Sequence, residues 1–105
     1  MQTIPNVSKI QTIRYTPKFS VICSVGKAPF HGVINIEYKP AKVLLEFESF
    51  EGWLFSMAND SMTIEDLCRL VFDALTDALG EIPLRVCVNA ETTVHAPASA
   101  EIARL

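Results

Sequence analysis

The chain has 105 residues, half of them apolar and a fifth charged, with a formal net charge of −3. That composition describes one globular domain with one hydrophobic core, and excludes a disordered segment or a second domain. The mild acidity lacks the basic footprint of a protein that holds nucleic acid by neutralising phosphates, no apolar run approaches the ~20 residues that span a bilayer, and MQTIPNVSKI carries no apolar leader core, so the expectation is a soluble, cytoplasmic protein. Cys23, Cys68 and Cys87 form no CxxC pair and no zinc-ligand spacing. Their odd number argues against a closed disulfide framework, and they are read as reduced thiols with no metal.

Residues 1–18 contain Pro5 and Pro17 and alternate only weakly, which predicts an irregular N-terminal arm with one edge strand. The single domain is then 19–105. Residues 19–25 read as a strand that delivers Cys23 to its end, followed by a short turn with Gly26, Lys27 and Pro29. A thiol at a strand end beside a cation is placed to ionise, which makes Cys23 a candidate nucleophile; the competing reading is a small core hydrophobe. Residues 31–39 alternate as a second strand, so 19–39 predicts a hairpin. Residues 43–48 extend into a helix near Ser49–Met57, where Phe50, Trp53, Leu54 and Met57 recur at helical spacing and belong to the core.

The clearest element is a helix over 63–79. Thr63-Ile64-Glu65-Asp66 has the form of an N-terminal cap, Gly80 stands where the chain must turn out of the helix, and Pro83 prevents continuation. Its apolar face includes Cys68, which is therefore structural. Residues 84–91 alternate strictly, and a last strand over about 93–103 returns antiparallel. The order ββααββ predicts a two-layer α+β domain: an antiparallel sheet with both helices on one face and the other face bare.

The strand ending in Cys23, a proline six residues on, Ile34-x-Ile36-x-Tyr38, Glu46-Phe47-Glu48-Ser49, Trp53-Leu54-Phe55-Ser56, Asn59 and Glu65-Asp66 keep their order and spacing over 19–91. In this the chain resembles the QueF family, the tunnelling-fold nitrile reductases of the queuosine pathway. The resemblance implies the tunnelling fold, closing into a homo-oligomeric ring with active sites between subunits, so that Cys23 and Glu65 meet across an interface. It implies that Cys23 adds to the nitrile of 7-cyano-7-deazaguanine to give a thioimide, and that Glu65 holds the base, with Ser49 also at the substrate. A thiolate suits a soft nitrile carbon, and one carboxylate accepts the two parallel N–H donors of a guanine-type edge.

The departures are specific. Phe30 stands where the reductases place an acidic residue, Ile64 where they place a histidine, and Glu48 and Glu51 where they place the lysines associated with the dinucleotide. Anions there repel phosphates. In size and in lacking the dinucleotide segment the chain is more similar to the short QueF-like archaeosine synthases, which also place an aspartate where Phe30 stands; they need no reductant, since ammonia resolves the thioimide to an amidine on tRNA. His31 is the available proton shuttle, having an imidazole that both gives and takes a proton; His95 is less suited. The expectation is amidine formation without a cofactor, on the free base or on a nucleic acid carrying it. The alternatives are the NADPH-dependent reductase and a non-catalytic purine-binding module.

Overall fold

The computed structural model describes residues 1–92 and 96–105, with Thr92 described by its backbone alone. His95 and the first part of the expected last strand lie outside the described residues. The elements are β1 (Thr3–Pro5), β2 (Ile13–Tyr15), β3 (Lys18–Cys23), β4 (Pro29–Tyr38), β5 (Val43–Leu45), α1 (Phe47–Phe55), β6 (Ser61–Met62), α2 (Ile64–Leu79), β7 (Leu84–Thr92) and β8 (Ala98–Arg104).

The main sheet runs β6-β3-β4-β7-β8, with β2 also on β4, and β1 and β5 form a separate two-stranded ladder. β4 is the long central strand. Its second half pairs with β2 and its first half with β3. Pro17 separates the two partners: lacking an N–H, it interrupts the ladder while its carbonyl still accepts from Ile34 N–H at 2.9 Å. The segment 1–18 thus contributes two short strands, one on β4 and one on β5. Residues 43–45, read from sequence as a lead into a helix, form the partner strand of β1 instead. Tyr38 fastens that ladder to the core, since its buried hydroxyl accepts the Leu45 N–H at 3.0 Å.

Period-two alternation puts Ile34, Ile36 and Tyr38 of β4 and Val86 and Val88 of β7 on one face, where Leu67, Val71 and Leu75 of α2 and Phe50 and Leu54 of α1 cover them. Burying each such side chain contributes about 1.5–3 kcal/mol. Both helices therefore lie on one face, as the α+β reading requires. The other face carries Asn35, Cys87 and Asn89, with the ion pairs Arg14–Glu37 (2.9 Å) and Arg85–Glu101 (2.6 Å) near the β2 and β8 edges.

Helix ends follow their sequence signals. Thr63 Oγ1 accepts Asp66 N–H at 3.1 Å while the Asp66 side chain accepts Thr63 N–H, a complete capping box. Gly80 closes α2 with φ of 89°. Arg104 clasps that end, its guanidinium donating to Ile82 O (2.9 Å) and Thr76 Oγ1 (3.2 Å) above the Phe72 ring. In α1, the Glu46 carboxylate accepts from Ser49 N–H at 2.6 Å and Glu48 N–H at 3.1 Å.

The β4–β7 register shifts between His31 and Gly32, a bulge that brings two backbones into contact. A Cβ on Gly32 would lie 1.9 Å from Asn89 O. Gly32→Ala is expected to lower unfolding free energy by about 3 kcal/mol or more, read by urea denaturation. The Ser49 N–H bond holds the Glu46 carboxyl below the ordinary range. Its stabilisation is present above the unfolded-state pKa and lost as pH falls through the folded one. Glu46→Gln should therefore be less stable than the parent near neutral pH and equally stable well below the ordinary glutamate range.

Candidate functional site

β3 ends on Cys23, and the turn beyond it is knotted around that residue. Cys23 N–H donates to Ala28 O at 2.9 Å, Lys27 N–H donates to Cys23 O at 2.9 Å, and Gly26 N–H donates to Cys23 Sγ at 3.3 Å. The sulfur is thereby held in one position at the end of the sheet.

What comes to meet it is β6. This two-residue strand pairs with β3 in parallel, Ile22 opposite Ser61 and Cys23 opposite Met62, with Ile22 N–H donating to Asp60 O (3.0 Å) and Ser24 N–H to Met62 O (3.3 Å). Thr63 follows at once and α2 begins. The first turn of α2 is thus delivered beside the thiol, with Glu65 in that turn.

Cys23 and Glu65 line one cleft of about 290 Å³, together with Thr63 and Ile64 and an apolar wall that includes Pro29, Phe30, Ala90 and Ala98. The volume is near the lower end of the roughly 300–1,000 Å³ of small-molecule sites. Both residues belong to the same chain, whereas the family resemblance implied a meeting across an interface. A thiol and a carboxylate share one cleft with an apolar wall, an arrangement that would suit a small flat ligand with N–H donors at one end and an electrophilic carbon at the other.

The other candidates lie elsewhere. His31 is exposed, and β4 alternation points it to the face away from the helices, while its neighbour Phe30 is buried and lines the cleft. Phe30 packs edge-on against Phe19 with ring centroids 6.0 Å apart. Ser49 is in the first turn of α1, where its Oγ accepts Gln2 N–H (2.8 Å) and donates to Glu46 O (3.0 Å), so it ties β1 to α1 outside the cleft. Lys27 is exposed, with left-handed backbone (φ 59°), and its side chain is not among those lining the cleft. Among the described residues no group of three or more His, Cys, Asp or Glu is arranged to hold a metal.

Sequence reasoning missed β6, because two residues carry no periodicity, and saw Thr63 only as a cap. The signal was present in Thr63-Ile64-Glu65-Asp66: a cap residue and a first-turn carboxylate share one turn of backbone, so whatever approaches the carboxylate also approaches the cap.

Cys68 shows the contrast with Cys23. It is buried under α2, its Sγ 3.5 Å from Val86 O and 3.4 Å from Ala100 O, and burial pushes its thiol up. Iodoacetamide applied to the native protein should label Cys23 and Cys87, both partly exposed, and spare Cys68 until the protein is unfolded. Peptide mass spectrometry reads the result.

No protein-family model matches the chain. The curated proteins it is similar to include several NADPH-dependent 7-cyano-7-deazaguanine reductases. That of Frankia casuarinae is 30% identical over 90 residues, which is 85% of this chain and 72% of that protein. That of Wolinella succinogenes is 28% identical over 87 residues, 80% of this chain and 70% of the relative. That of Chlorobium phaeobacteroides is 30% identical over 63 residues, 60% of this chain and 53% of the relative. The chain therefore spans from about half to under three quarters of the length of these relatives. Among solved structures, the apo crystal structure of the archaeosine synthase QueF-Like matches with a TM-score of 0.82 over 90% of this chain and 93% of that one. At 16% identity that likeness establishes the fold.

Proposed function

This chain belongs to the QueF-like family of 7-cyano-7-deazaguanine reductases and their relatives, and from that premise we propose that it acts on the nitrile of 7-cyano-7-deazaguanine, free or carried in a nucleic acid. Cys23 Sγ adds to the nitrile carbon to give a thioimide, and Glu65 accepts the N–H donors of the base. The observation that carries this reading is the single cleft lined by both side chains. Glu65 is in the first turn of α2, where the aligned N–H dipoles favour its negative charge.

We assign the resolution of the thioimide to ammonia, giving an amidine, as in archaeosine synthesis. Support comes from what the helix N-termini already hold. A dinucleotide needs N–H donors or cations for its phosphates. In α1 the Glu46 carboxylate takes two of those donors, and Glu48 adds a further anion in the first turn. Glu51 is bound by the Tyr15 hydroxyl at 2.6 Å; burial, and after it this bond, pushes the phenol up. The α2 terminus is closed by its capping box and bears Glu65 and Asp66. The described residues therefore do not fit an NADPH phosphate at either helix terminus. The reductase remains the second reading, favoured by the activity named for the curated relatives.

Among the described residues the sheet has one bare face and no strand on the outer edge of β8, which supports assembly into a ring whose closure would remove open edges. A shuttle at His31, on that bare face, would serve a neighbouring subunit's cleft. Three free thiols suit a reducing cytoplasm.

Intact mass after incubation with 7-cyano-7-deazaguanine, without NADPH, tests the reading. The parent should gain the mass of the base, and Cys23→Ala should not. Glu65→Ala should weaken capture at least about 10-fold, the scale of charge-assisted hydrogen bonds. Ammonia added to the adduct should release the amidine, whereas release only with NADPH would establish the reductase. Base binding without an adduct would leave a purine-binding module.

A further inference from the structure

Thr63 has a second task beyond holding α2. Among the described residues that line the cleft, three side chains carry polar groups: Cys23, Thr63 and Glu65. An ionised carboxylate accepts hydrogen bonds and donates none, whereas a hydroxyl has one O–H and two lone pairs. The capping box takes one lone pair of Thr63 Oγ1 for the Asp66 N–H at 3.1 Å. Among the described residues its proton has no acceptor, and it is free to point into the cleft. Thr63 also follows Met62, the residue opposite Cys23 in the β3–β6 pair. Phe30 and Ile64, which stand where the family resemblance puts an acidic residue and a histidine, line the same cleft and cannot donate.

We propose that the Thr63 hydroxyl is a catalytic donor in this cleft, passing a proton to the nitrile nitrogen as Cys23 adds. The inference rests on the thioimide reading above. In the step, the Sγ–C bond forms, one π bond of the nitrile opens and its electron pair moves to nitrogen. Thr63 O–H gives its proton to that nitrogen and takes the thiol proton in return. The thiol proton is in effect transferred to nitrogen; nothing is oxidised or reduced and no co-reactant is consumed. A backbone-fixed cap suits this work, because the helix holds the donor where charge develops and no reorganisation is needed.

Three variants separate donation from capping. Thr63→Ser keeps both. Thr63→Gly keeps a tolerable cap and removes the hydroxyl, and Thr63→Asn keeps the cap acceptor with an amide that cannot exchange a proton. The readouts are the rate of adduct formation by intact mass, base affinity measured in a Cys23→Ala background, and helical circular dichroism. Thr63→Ser should react within a few-fold of the parent, and Thr63→Gly and Thr63→Asn roughly 100-fold more slowly with affinity and helicity unchanged, the scale of losing one donor aimed at a developing charge. Parental rates in folded Thr63→Gly or Thr63→Asn would overturn the assignment while leaving the Cys23 adduct standing. Should Thr63→Gly not fold, Thr63→Asn decides alone. An absence of adduct in the parent would bring down the thioimide reading itself, and this assignment with it.

Discussion

The site depends on two residues of parallel pairing between β3 and β6. Without it, Cys23 would be a thiol at the end of a hairpin and Glu65 an acid on a helix, with nothing to bring them together. Parallel pairs require a crossover, and here β4, β5 and α1 lie between the partners, so the cleft exists only once most of the sheet has formed. The site is a product of the tertiary fold rather than of any local motif.

Electrostatics give the cleft its character. Each helix begins with carboxylates, Glu46 and Glu48 in α1, Glu65 and Asp66 in α2. Glu46 and Asp66 are engaged with backbone N–H groups, and Glu48 and Glu65 lie in the first turn for the reason any helix favours anions there. The consequence is chemical: the backbone donors that many folds reserve for phosphate are satisfied internally. A neutral ligand with N–H donors would meet an acceptor at Glu65, whereas a phosphate would meet like charge.

Much of the architecture was legible in sequence because it rests on strong periodic signals. The α2 helix was bounded within a residue by Thr63 and Gly80, and the 84–91 strand by strict alternation. The Cys23 hairpin followed from an apolar run, a turn and a second run. What escaped was short or non-local. β5 read as helix lead-in because its partner β1 lies some forty residues away, and β6 was too brief for any period to register. The residues alone marked Cys23 as a candidate nucleophile, and the family resemblance, carried by residues 19–91, supplied Glu65 and the roles expected of both. Ser49 and His31 had the right residue types in the right stretch. Register then put one into a clasp between β1 and α1, and the other on the opposite face of β4.

The Arg104 clasp ties the far end of α2 to the last strand, through Thr76 Oγ1, Ile82 O and the Phe72 ring. Segments fastened to one another open together. β8, the 80–83 loop and the last turns of α2 should therefore fray as a single cooperative unit. The first turn of α2 is fastened independently, by its own capping box and by β6. Opening at the Arg104 end of β8 thus leaves the first turn of α2 fastened, while the Ala98 end of the same strand still walls the cleft, and amide exchange should find two separate thresholds along one sixteen-residue helix.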